Sequence, residues 1–195
     1  MNIKVIEKPD WVSWEEIREV IWLSHSRNRE EGMNMHFPSM SGEEIRKRIE
    51  DRKGKMFVAL DGKKVAGTGA LTVKRSDLWC GRGEYAYLCF AAVLPEYNGQ
   101  GLYKALCTLR EEESRRMGFD RMMFDSHENN KLLFSINRKN GFLPVAYRHY
   151  GDHNNVIMVK WLDGSPYSYS RCRYEFVRRK VSVKARQLFK KIFNH

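Results

Sequence analysis

The sequence predicts an α/β (α+β) fold: a mixed, mostly antiparallel sheet flanked by helices, followed by a basic C-terminal helical extension. Three observations predict it. Strand-like and helix-like apolar spacings follow one another in the order β-α-α-β-β-β-α-β-α-β-β. Helices separate strands only in the middle of that order, which excludes a doubly wound sheet. Asp61-Gly62 lies between the apolar runs Lys55–Leu60 and Lys64–Val73, a strong hairpin signal. Finally, an apolar strand ending at Val93 passes through Pro95 and a glycine-bearing loop straight into a helical pattern.

Met1–Glu7 reads as a strand, and Trp11–Ser26 as a helix from the spacing of Trp14, Ile17, Val20 and Ile21. Arg27–Ser41 is aperiodic and reads as a loop. Ser41 serves as N-cap, with Glu44 three residues on, for a short helix through Arg52. After the hairpin, Arg75–Gly83 reads as a loop. Glu84–Val93 has the near-continuous apolar end of a central strand. Leu102–Met117 is a helix closed by Gly118. Arg121–Asp125 is a strand, and Asn130–Lys139 a helix ending near Asn140-Gly141. Phe142–Tyr150 and Asn155–Leu162 pair as a last hairpin.

At 195 residues and 42% hydrophobic content, the chain suffices for one domain with a proper core. No apolar run approaches the ~18 residues of a membrane span. The N-terminus has no signal-peptide pattern. Cys80, Cys89, Cys107 and Cys172 lack CxxC spacing and matching histidine pairs, so they read as reduced thiols with no metal role, and a cytoplasmic location is expected. The net charge of +11 is concentrated at the end. Pro166–His195 holds nine Lys/Arg against the single acid Glu175. The high pI therefore describes a tail and not the core.

The strand-loop-helix segment Val93-Leu94-Pro95-Glu96-Tyr97-Asn98-Gly99-Gln100-Gly101-Leu102-Tyr103-Lys104 carries the chemistry. A helix N-terminus presents unbonded N–H groups and positive potential, which suits an anion. Gly99 and Gly101 remove side chains where a phosphate approaches the backbone, and Lys104 can add a charge. The segment lacks the GxxxxGK[ST] of a Walker loop. It also lacks the third glycine of a dinucleotide fingerprint, where Lys104 stands.

The same segment resembles the acetyl-CoA loop of the GCN5-related N-acetyltransferase (GNAT) superfamily, Q/R-x-x-G-x-G/A after a strand ending in Val-x-Pro. Asn98 takes the Q/R place, Gly101 the first glycine and Tyr103 the final Gly/Ala place. Asn130, Lys139, Gly141 and Phe142 fit the family's N-x(8)-K-x-G-F signature, and the element order is the family's. The resemblance spans 1–162. It implies a GNAT-like domain over 1–163 with 164–195 as a basic extension.

The resemblance implies acetyl-CoA as cosubstrate and transfer of the acetyl group to a primary amine by direct attack in a ternary complex. Pantetheine would bond the backbone at Phe90, Ala91 and Val93. The pyrophosphate would sit on Asn98, Gly99, Gln100, Gly101, Leu102, Tyr103 and Lys104, with Asn130 and Asn137 on the pantetheine side. The family's usual acid is a tyrosine at the place held here by Asn137, and an amide cannot act as that acid. Tyr103, Ser126 and His127 are the remaining candidates, and Glu84 stands where some members place a base. Asp125-Ser126-His127, being consecutive, cannot converge as a triad and reads as a strand end facing the cleft. His36, Phe37 and Met33–Met40 fall in a loop that often binds acceptor, and Tyr85, Tyr87, Tyr147, His149 and Tyr150 are candidate pocket aromatics.

The acceptor is a small-molecule amine or a protein amine. Val181, Ala185, Leu188 and Ile192 recur at helical spacing among Lys184, Arg186, Lys190 and Lys191. This basic amphipathic helix suits docking on the domain, a homodimer mate, a membrane surface, or an acidic partner such as an acyl carrier protein, which would make longer acyl chains the donor. A CoA-binding or partner-binding domain without chemistry is the other alternative. Nucleic acid is disfavoured, because no recognised module is present.

Overall fold

The computed structural model describes residues 3–33 and 39–193. His36 and Phe37 lie outside the described residues.

Helices α1 (Trp14–Ser24) and α3 (Gly42–Glu50) both start in capping boxes. Ser13 and Ser41 accept from the N–H of Glu16 and Glu44, and those glutamates accept from the serine N–H groups at 2.7 Å. The Ser41 cap is where the sequence places it. Between these helices the loop expected over Arg27–Ser41 instead begins with a short helix, α2 (Ser26–Glu30). It buries no residue, so no apolar period marks it in the sequence. An Arg27–Glu31 ion pair and the Arg29 guanidinium over the Trp22 ring, 3.7 Å away, support it.

Seven strands follow: β1 (Ile3–Glu7), β2 (Lys55–Asp61), β3 (Lys64–Leu78), β4 (Gly81–Val93), β5 (Arg121–His127), β6 (Leu143–Tyr150) and β7 (His153–Trp161). They form one sheet in the order β1-β2-β3-β4-β5-β7-β6, antiparallel except for β4 and β5. The mixed, mostly antiparallel α/β architecture expected from the sequence is present. One expectation is corrected. Arg75–Gly83 is not a loop but the closed end of a long β3–β4 hairpin, in which Arg75 opposes Glu84 and Asp77 opposes Arg82. Opposite charges across the ladder and alternate burial of Ser76 and Leu78 hold it. Its Trp79-Cys80 turn carries none of the usual turn residues, so no hairpin signal marks it.

β2 and β3 are buried along most of their length, as strands covered on both faces are. Helix α4 (Leu102–Arg116) lies over the face of β3 that carries Gly67 and Gly69. A Cβ at 69 would stand 3.2 Å from the Arg110 guanidinium. The absence of a side chain there is what lets a large buried cation fit against the sheet. Helix α5 (Lys131–Lys139) is capped by the side chain of Asn130. It ends ahead of Gly141 at φ +87, which turns the chain so that Phe142 packs edge-on against Phe124, centroids 5.3 Å apart.

The extension forms one long helix, α6 (Tyr169–Phe193), that packs on β6. Of the roles the sequence leaves open for its apolar stripe, docking on the domain is not the one observed. Val181, Leu188 and Ile192 are exposed, while Cys172, Glu175, Phe176 and Val183 form the docked face. Polar anchors select that face: Glu128 accepts from Lys184 at 2.9 Å, and Gln187 bonds Asn154 at 3.1 Å.

Truncating Phe142, which is 1% exposed, leaves a cavity at the junction of α5 and β6. Phe142→Ala is expected to lower stability by about 3–5 kcal/mol in urea unfolding.

Candidate active site

β4 and β5 pair only at Ala86↔Met122 and Tyr87↔Met123 and then part. Beyond that point β4 is bent by a bulge. Cys89 opposes Ala70 and Ala92 opposes Thr68, so β4 has one residue more than β3. Phe90 takes a left-handed φ of +51 there, held by the Thr68 hydroxyl, which donates to the Phe90 carbonyl at 2.8 Å. Such a conformation in a bulky residue costs on the order of 1–2 kcal/mol and persists only where its surroundings fix it. A cavity of about 630 Å³ opens between the separated strands.

Phe90, Ala91, Val93, Asn98, Tyr103, Ser126, His127 and Asn130 line this cavity, whereas Gly99, Gln100, Gly101, Leu102 and Lys104 do not. At one end lies the glycine turn. Gly99 and Gly101 both sit at φ +79, and Gly101 is the N-cap of α4 with no side-chain cap. Nothing stands within 4 Å of a Cβ built at either position. The α4 N-terminus is thus open to an anion of some size. Gln100 folds back onto the Glu96 carbonyl at 3.3 Å, Leu102 is buried under the helix, and Lys104 is exposed one turn in.

Tyr103 and Asn137 meet across the cavity wall. The Asn137 amide nitrogen donates to the Tyr103 hydroxyl at 2.8 Å and to the Leu133 carbonyl at 2.9 Å. Asn137 itself is fully buried behind the phenol and does not line the cavity. Burial holds the Tyr103 phenol well above its ordinary value, with the nearby Arg110 charge acting in the opposite direction. Ser126 accepts from the Asn130 amide at 3.3 Å, and Asn130 also caps α5. His127 accepts at Nδ1 from the Asn129 N–H at 3.2 Å, so its neutral form carries the proton on Nε2. Burial and the adjacent His153 lower its pKa. His127 therefore offers a hydrogen-bond donor rather than a base.

Glu84 is not brought to the site. It is exposed opposite Arg75 near the hairpin end and lines no part of the cavity. Tyr87 and Tyr150 line the cavity, and Tyr85 a side pocket. Tyr147 and His149 do not; they face α6, through Glu128 and Gln187.

The structure adds residues that sequence reasoning did not single out. The His25 ring spans Ala91 and Asn28: Nε2–H donates to the Ala91 carbonyl at 3.1 Å, and Nδ1 accepts from the Asn28 amide at 2.9 Å. Burial brings its pKa down to about 4. Asp152 orients His153, accepting from Nδ1 at 2.6 Å. Asp125, which the sequence does place at a strand end facing the cleft, accepts from the Tyr87 hydroxyl at 2.6 Å and from Asn155 at 2.7 Å. Arg110 is 1% exposed, bonding the Leu106 carbonyl and, at 3.1 Å, the Cys107 sulfur. Its place on the stripe Leu102, Leu106, Arg110, Ser114 is a readable signal, a cation on an apolar helix face. Among the described residues no cluster of His, Cys, Asp or Glu could hold a metal ion, and no helix is long and apolar enough to cross a membrane.

A separated strand pair, a bulge and an open glycine-capped helix coincide with a family-model match over residues 14–142 to the acetyltransferase (GNAT) family. The chain belongs to that family. This GNAT protein matches no curated protein in sequence. It is similar in fold to the PaiA N-acetyltransferase of Thermoplasma acidophilum, solved with coenzyme A, at TM-score 0.64 and 20% identity, over 83% of this chain and 99% of that one. YncA of Salmonella typhimurium, solved with acetyl-CoA, gives TM-score 0.64 at 16% identity over 86% and 98%. The ribosomal-protein-S18-alanine N-acetyltransferase of Escherichia coli gives 0.62 at 17% over 86% and 97%.

The neutral His25 makes a pH prediction. Unfolded histidine protonates near 6.5, the folded ring only near pH 4. Between those values only the unfolded chain takes up the proton, so stability falls as the pH drops through that window. The loss at this one site is expected to be about 3 kcal/mol between pH 7 and pH 4. His25→Gln should lose correspondingly less, as urea unfolding at the two pH values will show.

Proposed function

We propose that the protein transfers an acetyl group from acetyl-CoA to a primary amine by direct attack in a ternary complex. The observation that carries this reading is the Tyr103 phenol, held by Asn137 in the wall of the cavity beside the uncapped N-terminus of α4. Family membership and the CoA-bound neighbours support acetyl-CoA as the donor.

The residues present fit that cosubstrate. The turn Gly99–Gly101 and the first N–H groups of α4 suit a pyrophosphate, with Lys104 beside them. The edge of β4 from Phe90 to Val93, past its last pair with β5, suits the amide groups of pantetheine. The carbonyls of Phe90 and Ala91 already accept from Thr68 and His25, so the arm meets a backbone fixed in place.

In the acyl step the amine nitrogen forms a bond to the acetyl carbonyl carbon, and the carbon–sulfur bond breaks. Tyr103 gives its proton to the departing sulfur. The phenolate left behind keeps the Asn137 N–H donor and the field of Arg110. His153, oriented by Asp152, takes the proton from the attacking amine. The Nε2–H of His127 and the Ser126 hydroxyl remain as donors along the cavity wall.

Tyr103→Phe removes the acid without altering the shape of the wall. It is expected to lower kcat by on the order of 10²-fold or more while acetyl-CoA KM changes little; an undiminished kcat assigns the proton to another group. Gly101→Glu places a carboxylate at the proposed pyrophosphate site and is expected to abolish CoA binding by calorimetry. Retained affinity overturns the site.

A further inference from the structure

The end of the cavity remote from the glycine turn is cationic. Lys74 opposes Tyr85 in the β3–β4 ladder, whereas Gly67 opposes Val93 beside the turn. Seven residues of strand, about 23 Å, separate the two ends. Lys74 and Arg48 line the cavity, and Lys74, Arg75 and Arg148 line a side pocket of about 160 Å³. The pocket shares Lys74, Tyr87, Phe124, Asp125 and Tyr150 with the cavity, so the two spaces adjoin.

The contacts these cations make do not neutralise them. Lys74 is half-buried, its ammonium 3.1 Å from the Tyr87 ring centroid, and Arg48 bonds the Met40 sulfur at 3.5 Å. Burial lowers Lys74 to about 8, with Asp125 opposing the shift. Among the described residues neither of them, nor Arg75 or Arg148, has a carboxylate within ion-pair distance. The acids nearby are held by other donors, although Asp125, bonded only by neutral groups, keeps its charge and acts on Lys74. Asp125 is bonded by Tyr87 and Asn155, Asp152 by His153, and Glu128 by Tyr147, Asn154 and Lys184. Arg27, a further cation on the cavity wall, is paired with Glu31.

A site that must admit an amine gains nothing by repelling it, unless the acceptor also carries a negative charge. From this we infer that the acceptor is a small amine bearing a carboxylate, its acid group held at Lys74 and Arg148 while its amine points toward the strand split. The inference rests on the acetyltransferase reading above and narrows its substrate class. A polycationic acceptor would face Lys74, Arg48, Arg75 and Arg148 at this end, against the carboxylates of Asp125 on the wall and Glu84 opposite Arg75.

The test is an initial-rate comparison with the full-length protein at saturating acetyl-CoA, following release of CoA thiol. Glycine, aspartate, glutamate and phenylalanine are each compared with their α-amides, and ethanolamine with phosphoethanolamine; spermidine is the cationic probe. Charge-assisted recognition predicts that the carboxylates exceed their amides in kcat/KM by roughly ten- to a hundredfold. In Lys74→Gln that ratio should fall toward one, and in Lys74→Arg it should be restored. Equal or faster transfer to the amides or to spermidine overturns the inference, and so does a preference for phosphoethanolamine over every carboxylate. Failure of all amines together is a different result, which removes the acetyltransferase reading and this inference with it.

Discussion

The rest of the structure depends on how little holds β4 to β5. Two residue pairs join them, at Ala86 and Tyr87, before the strands diverge. Divergence inside a sheet leaves backbone groups of both strands facing a gap, which is costly unless something occupies it. Here the gap is the cavity, and each flanking strand runs on into a helix that starts beside it. β4 leads to the uncapped Gly101 terminus of α4, and β5 leads to the Asn130 cap of α5. The Tyr103–Asn137 hydrogen bonds then tie α4 to α5, restoring across the helices the connection that the strands give up.

Local cost accompanies this arrangement. Phe90 has a backbone conformation that few bulky residues adopt, and Arg110 is a buried guanidinium whose contacts are a carbonyl and a thiol. An unpaired buried charge is destabilising unless the site uses it. Both features lie under the same bulge, with Gly69 making room for one and Thr68 fixing the other. Strain and charge are thereby concentrated at the place where the strand bends out of its ladder, and the wholly apolar parts of the core, around Ile45, Val58 and Met158, are left free of both.

Much of this was legible in the chain. Ser41 and Glu44, Asp61-Gly62, Gly118 and the run into Gly99–Gly101 act through local backbone chemistry, and each operates where its residue type predicts. The residues that escaped notice act at long range. His25 matters because of Ala91, 66 positions away, and Lys74 because Tyr87 and Asp125 come to lie beside it only in the folded sheet. Glu84 failed as a site residue for the converse reason. A strand end that looked adjacent to the cleft belongs to a hairpin continuing well past it. In α6 the stripe with the clearest apolar period is exposed, because Glu128, Asn154 and the β6 surface select another face by polar contacts that no periodicity records.

Two departures from the family pattern have a common physical account. Position 103 carries a tyrosine where the loop pattern has a small residue, and position 137 carries an asparagine where the acid tyrosine usually stands. Taken separately, the first crowds a loop and the second removes a catalytic group. In the fold the two side chains are hydrogen-bonded to each other. The phenol is thus borne by α4, and the α5 residue is its hydrogen-bond partner. An asparagine is the residue suited to receive it: its amide can donate to the phenol oxygen in either protonation state and anchors in turn on Leu133. A second tyrosine at 137 would set two phenols against one another in a wall already filled at 0% exposure. In the proposed reaction the exchange preserves the acid while changing the helix that bears it.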